Sequence, residues 1–227
     1  MRKKDKECTF RGCDFVLKHK PIYSFFKRCI DFVGALLVII LFSWLLLIIA
    51  ILVKCTSKGP VIYKSQRIGK GGKPFTFYKF RTMCVGAEAE LVNLESQNEV
   101  EGGIIFKMHN DPRITKFGKI LRKTSLDELP QLFNILNGTM SIVGPRPCTK
   151  NEYEKMQNHE EFKQYAYLKT LVPQGLTCIW QCSGRSNTTF EEQMQMDVKY
   201  LRKRGFWFDV WMVLKTIPAV LFSKGAE

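Results

Sequence analysis

Two acids side by side open the chemical reading of this chain. Asp127 and Glu128 stand in Ser125-Leu126-Asp127-Glu128, within the densest polar stretch of the sequence, residues 110–147. The pattern fits a capping box, with Ser125 as N-cap and Glu128 reaching back to it. The acids would then simply complement a helix dipole. The same geometry allows chemistry. A helix start presents unpaired N–H groups and partial positive charge, which together hold a phosphate. An ionised Asp there could attack phosphorus, as in enzymes with aspartyl-phosphate intermediates. A neighbouring Glu could hold Mg²⁺ against phosphate oxygens. Phosphoryl transfer also needs cations to neutralise developing charge, and Arg113, Arg122, Lys123 and Arg146 are candidates. Both readings stay open on these residues alone.

Two arginines have chemistry-bearing settings of their own. Arg146 sits between Pro145 and Pro147, which fix the backbone on either side of it. That is either a rigid mount for an anion clamp or a rigid loop. Arg185 lies in the small-residue loop Cys182-Ser183-Gly184-Arg185-Ser186-Asn187, a weaker signal.

The elements that must position these groups begin with an apolar block. Residues 30–53 read IDFVGALLVIILFSWLLLIIAILV, and the 22 residues from Phe32 onward carry no charge. A helix of that length spans about 33 Å, enough for a hydrocarbon core of about 30 Å. The block is too long and starts too late for a cleaved signal peptide. Basic residues flank both ends: Lys18, Lys20, Lys27 and Arg28 before it, Lys54, Lys58, Lys64 and Arg67 after it. Positive flanks favour the cytoplasmic side, so a straight span would leave one of them outside. A re-entrant helix keeps both inside, and a Ser43 hydroxyl bonding back one turn could supply the bend.

The net charge of +14, from 35 Lys plus Arg against 21 Asp plus Glu, admits nucleic acid or anionic membrane as a partner. The apolar block favours the membrane. The 45% hydrophobic share excludes a disordered chain. None of the eight cysteines forms a CxxC pair, and none of the three histidines stands at ligand spacing from a cysteine pair. This argues for reduced thiols in the cytosol and against a zinc site.

Residues 1–26 read as a basic surface tail. Runs at 61–64 and 75–80 flank a Gly-rich loop and predict a β-hairpin. The spacing of that loop is not that of a P-loop, so a plain turn is expected. Helices are expected at 87–98, 114–122, 126–136, 151–168 and 190–204. Residues 205–222, rich in Phe and Trp, read as a helix lying in the membrane interface.

In their order, several motifs resemble the bacterial sugar transferases, monotopic phosphoglycosyl transferases acting on polyprenol phosphate. They are Lys27-Arg28, Thr56-Ser57-Lys58-Gly59-Pro60, Gln66-Arg67-Ile68-Gly69, Phe77-Tyr78-Lys79-Phe80-Arg81-Thr82-Met83 and Asp111-Pro112-Arg113. Arg122-Lys123-Thr124-Ser125-Leu126-Asp127-Glu128-Leu129-Pro130-Gln131, Gly144-Pro145-Arg146-Pro147, Trp180-Gln181 and Ser183-Gly184-Arg185-Ser186 follow. The resemblance implies transfer of a sugar-1-phosphate from a UDP-sugar to undecaprenyl phosphate with release of UMP, the first membrane step of surface polysaccharide assembly. It places the nucleophile on Asp127 and a Mg²⁺ ligand on Glu128. Its basic substrate-binding positions fall on Lys79, Arg146 and Arg185, and further family acids on Asp197 and Asp209. The segment from Trp180 to Glu192 resembles the branch that uses galactose or glucose.

The family's re-entrant helix breaks at a Ser-Pro pair, whereas this chain has Ser43-Trp44. It also has Gln174 inserted between Pro173 and Gly175, and Cys178 where relatives carry a second glycine.

The expected fold is therefore α+β, mostly helical with a small β-hairpin. The expected organisation is a tail (1–26), a membrane-inserted re-entrant helix (27–55) and a cytoplasmic catalytic domain (56–227) on the inner face of a bacterial plasma membrane. Expected partners are a UDP-hexose, undecaprenyl phosphate and anionic lipid, without nucleic acid. A homodimer stays open. The minimal catalytic form, without the multi-span extension of larger relatives, is the expected one. A membrane-anchored scaffold without catalysis is the competing expectation.

Overall fold

A computed structural model describes residues 6–10, 13–94, 97–99, 104, 106, 108, 110–183 and 188–221. Among them the fold is mixed α+β, with helices outweighing three small sheets. The apolar block forms two helices, α1 (Pro21–Leu41) and α2 (Ser43–Thr56), bent by 66° at Phe42. The Ser43 hydroxyl donates to the Ile40 carbonyl at 3.0 Å. A bend at Ser43 is therefore present without proline, where a hydroxyl takes up backbone hydrogen-bonding capacity. The apolar block thus runs as a bent pair, broken beside the serine expected to supply the bend. Among the described residues, no single helix is long and apolar enough to cross a membrane; the bent pair together meets that test.

Both outer parts of the pair are tied to the same body. Asp31 of α1 accepts from Ser141 Oγ (2.6 Å) and Ile142 N (3.1 Å), and Arg28 caps α5 (Gln131–Leu136) by donating to the carbonyls of Ile135 and Leu136. A cation on the last carbonyls of a helix offsets its dipole. At the far end, Ile49 and Val53 of α2 bury against Phe80 and Leu121. The residues around the bend (Ile40, Leu41, Phe42, Trp44, Leu47) stay exposed.

Strands β3 (Ile62–Ile68) and β4 (Pro74–Phe80) form the expected antiparallel hairpin, and Cys148–Thr149 pairs with β3 as a third strand, β6. Pro74 sits at the start of β4, where a missing donor matters least. Phe75 and Phe77 on one face of β4 pack on Leu132, Ile135 and Met140, while Phe80 on the other meets Val53 and Leu121 of α4 (Lys116–Lys123). One strand thus carries two cores, as its period of two permits. Burying each such side chain contributes about 1.5–3 kcal/mol.

A parallel pair, β5 (Met140–Val143) with β7 (Gln174–Thr177), was not foreseen. The expected 151–168 helix divides at His159 into α6 (Lys150–Asn158) and α7 (Glu160–Lys169). Helices α3 (Ala87–Leu94), α8 (Ile179–Ser183), α9 (Phe190–Lys203) and α10 (Phe206–Leu221) complete the body. The largest core lies among α6, α7, α9 and α10, around Tyr165, Leu168, Met194, Leu201 and Met212.

The surface-tail reading of 1–26 is corrected. Residues Lys6–Phe10 (β1) and Cys13–Leu17 (β2) form a hairpin that buries Phe10 and Leu17 in that largest core. The hydrophobic pattern there is too short to show in sequence, and the partners lie on distant helices.

Candidate active site

The capping box at Ser125 does not form. Ser125 adopts a left-handed backbone (φ 56°, ψ 17°) and its side chain makes no cap bond. It follows Thr124, the C-cap of α4, at the position where an αL residue closes a helix and glycine is usual. Asp127 and Glu128 then lie on a single 3₁₀ turn, Leu126–Glu128, and not in the first turn of an α-helix. The expected helix over 126–136 is divided accordingly, with α5 beginning only at Gln131. The boxes that do form are Thr149 with Glu152 and Thr189 with Glu192, each opening an α-helix.

Freed from capping, the two acids turn to cations. Lys79 Nζ, on β4, donates to Asp127 Oδ2 at 3.1 Å and to Glu128 Oε1 at 2.8 Å. Arg146 Nη1 approaches the same Glu128 oxygen at 3.4 Å. The Asp127 carboxylate is buried, with 7% of its side chain exposed, and Glu128 is nearly so at 14%. Burial alone would raise the Glu128 pKa, but the Lys79 and Arg146 charges overrule it and hold the carboxyl down at about 2. The guanidinium of Arg146 in turn is raised, with burial opposed by the Glu128 charge.

The mount of Arg146 is a feature of the fold. Gly175 N donates to Pro145 O (2.8 Å) and Gly144 N to Thr177 O (3.1 Å), so the Pro-Arg-Pro segment is pinned at the end of the β5–β7 pair. A Cβ on Gly175 would lie 2.1 Å from Gly144 N, and one on Gly144 would lie 2.4 Å from Pro173 O. Neither glycine tolerates a side chain without moving Arg146. The inserted Gln174 fits this turn by burying its side chain and donating Nε2 to the carbonyls of Lys169 and Val172. On its open side, the Arg146 guanidinium lies 5.4 Å from the Trp180 ring, a stacking contact that the sequence did not assign.

The other expected cations divide. Arg113 is committed to structure: it makes a paired contact with Asp111 (2.6 and 2.9 Å) and donates to Ala87 O. Arg122 donates from Nε to Thr82 Oγ1 at 3.0 Å. Burial lowers its pKa, against the opposing charges of Asp127 and Asp111. Arg185 lies outside the described residues.

Asp197 and Asp209 do not join Asp127 and Glu128. Asp197 is 2% exposed and accepts from Tyr165 Oη (2.7 Å) and Lys169 Nζ (2.8 Å) within the largest core. Asp209, near the start of α10, accepts from Lys27 Nζ (2.8 Å), Tyr23 Oη (2.7 Å) and Tyr200 Oη (3.2 Å). It thereby ties α1 to α9 and α10.

For Mg²⁺, the fit rests on Asp127 and Glu128. Among the described residues no group of three acidic, His or Cys side chains converges as a metal cage. Two adjacent carboxylates are what Mg²⁺ commonly takes, the rest of its shell being water and substrate phosphate. The cation contacts use Asp127 Oδ2 and Glu128 Oε1, and among the described residues no ion pair is made by the second oxygen of either.

A buried acid pair neutralised by an ammonium and a fixed guanidinium is a setting suited to chemistry on phosphates. The family model for bacterial sugar transferases matches residues 22–223, and the chain belongs to that family. It is 38% identical over 224 residues to a galactosyl transferase of Streptococcus agalactiae, covering 96% of this chain and 48% of that one. It is 40% identical over 210 residues to an exopolysaccharide production protein of Rhizobium meliloti, covering 91% and 90%. It is 39% identical over 206 residues to the undecaprenyl-phosphate galactose phosphotransferase of Salmonella typhimurium, covering 89% and 42%. The chain thus spans about half the length of the Streptococcus and Salmonella proteins and nearly all of the Rhizobium one.

Proposed function

We propose that the chain transfers a hexose-1-phosphate, of galactose or glucose, from a UDP-sugar to undecaprenyl phosphate in surface polysaccharide assembly. The observation that carries this reading is Lys79 bridging Asp127 and Glu128, with Arg146 on the same Glu128 oxygen.

The chemistry follows from those positions. A carboxylate oxygen of Asp127 attacks the sugar-bearing phosphorus of the UDP-sugar. The P–O bond to UMP breaks and UMP leaves with the electron pair. The resulting acyl phosphate carries the sugar-1-phosphate. An oxygen of undecaprenyl phosphate then attacks the same phosphorus, the Asp127 O–P bond breaks, and the carboxylate is restored. Lys79 and Arg146 supply positive charge where the transferring phosphoryl group spreads negative charge. Glu128, ionised throughout the neutral range, would hold Mg²⁺, which supplies further neutralisation of the phosphate oxygens when bound. Arg185 is a third clamp in this reading. Asp197 and Asp209 act at a distance: the first braces α7 against α9, the second sets α1 against the body.

The membrane part of the proposal is a re-entrant helix pair on the cytoplasmic face of a bacterial plasma membrane. Its support is the shared attachment: Arg28 and Asp31 of α1 and Val53 of α2 all seat on one catalytic body, with the exposed apolar bend between them. A straight span would pull one of those attachments across the bilayer. The exposed Phe206, Trp207 and Trp211 of α10 would lie at the lipid interface, alongside anionic headgroups attracted by the basic flanks.

The test is a panel of UDP-sugars with purified protein in membranes, reading UMP release with and without undecaprenyl phosphate and Mg²⁺. Turnover with galactose or glucose donors supports the reading. No turnover with any donor favours the non-catalytic scaffold.

A further inference from the structure

Arg81 is a buried guanidinium held by neutral oxygens. It lies two residues beyond Lys79, where the β3–β4 ladder is extended by Arg81 N donating to Val61 O at 2.9 Å. Residues two apart on an extended strand share a face, so Arg81 continues the side that presents Lys79 to Asp127. Its side chain is 7% exposed. Its Nε and Nη2 donate to Ser57 Oγ (3.3 Å) and Ser57 O (3.2 Å), both on neutral oxygens at the end of α2. Among the described residues its Nη1 has no hydrogen-bond partner, and no carboxylate pairs with it. A buried guanidinium is costly unless its charge is matched.

The surroundings explain what could match it. Nη1 lies only 2.1 Å from where a Cβ on Gly59 would be, and Gly59 has a φ of +104°, so glycine is required there on two counts. The missing side chain leaves Nη1 beneath the wall of an open depression of about 520 Å³, lined by Lys54, Cys55, Thr56, Ser57, Lys58 and Gly59. Lys54 and Lys58 are exposed on its rim. Lys54 and Lys58 on the rim and Arg81 behind Gly59 thus lie together at the end of α2, two residues along the strand from Lys79, and none of the residues lining the depression is an acid.

We propose that Arg81, Lys54 and Lys58 form a landing site for a lipid-borne phosphomonoester, which they hold at the exit of α2 before it reaches Asp127. The inference rests on the transferase reading for what happens next, but the binding step stands on the cation cluster alone. A dianionic monoester suits three uncompensated cations better than a monoanionic phosphodiester, and its lipid tail would lie along α2.

The experiment measures binding first. Purified protein in zwitterionic nanodiscs is titrated with undecaprenyl phosphate, with phosphatidylglycerol and with inorganic phosphate, for the wild type, Lys54→Gln/Lys58→Gln and Arg81→Gln. Tight binding of undecaprenyl phosphate, weakened about tenfold or more in both variants, is expected. Phosphatidylglycerol and inorganic phosphate should bind far more weakly. The lysine pair is exposed, so that variant reports binding even where Arg81→Gln fails to fold. Unchanged affinity in the folded lysine variant overturns the proposal, as does equal affinity for phosphatidylglycerol or inorganic phosphate.

Kinetics separate this from the transferase reading. The UMP burst from UDP-sugar alone should keep its amplitude in the lysine variant while the KM for undecaprenyl phosphate rises about tenfold. A wild type that binds the lipid but releases no UMP would contradict the transferase and leave the landing site standing. Loss of the burst along with acceptor use would contradict the landing site.

Discussion

Lys79 Nζ stands 2.8 Å from Glu128 Oε1, and the same ammonium reaches Asp127 Oδ2 at 3.1 Å. The contact joins a strand to a 3₁₀ turn nearly fifty residues later, so the cation is placed by the β3–β4 hairpin and the acids by the end of α4. Its consequence is a Glu128 carboxyl that stays ionised well into the acid range.

That ionisation predicts a pH signature in stability. Glu128 titrates at about 2 in the fold against an ordinary 4.5. Folded-state depression of a carboxyl gives stability that is complete above pH 4.5 and lost as pH falls toward 2. Unfolding free energies of wild type and Glu128→Gln should therefore differ most near neutrality, by an amount on the order of 2–3 kcal/mol, and converge between pH 4.5 and 2. A gap that is constant with pH would contradict the charge network.

Ser125 provides a test of the local backbone. A non-glycine residue at φ 56° is strained by about 1 kcal/mol or more. Ser125→Gly should raise stability by about 0.5–1 kcal/mol with activity retained, and Ser125→Val should lower it by more than 1 kcal/mol. A capping role would reverse the expectation for glycine, since losing a cap destabilises. Thermal unfolding of the two variants distinguishes the cases.

Asp197 is expected to act on folding and not on substrate. Breaking a buried pair by Asp197→Asn strands the Lys169 ammonium, whose pKa is raised well above the ordinary lysine value by Asp197 against the effect of burial. A loss of about 3–5 kcal/mol follows. The double variant Lys169→Met/Asp197→Leu should recover much of it. In surviving folded enzyme the KM for the UDP-sugar should be unchanged by Asp197→Asn. A raised KM at full stability would return Asp197 to the binding site.

The bent helix pair predicts a labelling pattern. Ser24→Cys, near the start of α1, and native Cys55, exposed at the end of α2, should react with a membrane-impermeant maleimide from the same side in a background lacking other cysteines. Labelling from opposite sides would rule out re-entry.

Much of this arrangement was legible from residues close in sequence. The β3–β4 hairpin followed from two short strand-like runs around a Gly-rich loop, and the bend from a serine hydroxyl in an apolar run. Asp127, Glu128, Lys79 and Arg146 were picked out by motif order, and the fold brings those four together. What failed to show depended on distant partners. The parallel β5–β7 pair joins segments more than thirty residues apart, and Asp209 is meaningful only once Lys27 and Tyr23 of α1 fold onto it. Ser125 misled because the capping pattern and a left-handed helix end use the same residue type. Trp180 and Arg81 lay within recognised motifs, but their roles require the geometry of Arg146 and Ser57.

The most direct test of the central claim is intact-protein mass spectrometry of the purified enzyme mixed with UDP-sugar and Mg²⁺ in the absence of undecaprenyl phosphate. The wild type should gain the mass of one sugar-1-phosphate, with the adduct mapping to Asp127, and shed it when undecaprenyl phosphate is added. Asp127→Asn should gain nothing and lose at least about a thousandfold in turnover. Full turnover by Asp127→Asn, or an adduct on another residue, would contradict Asp127 as the nucleophile.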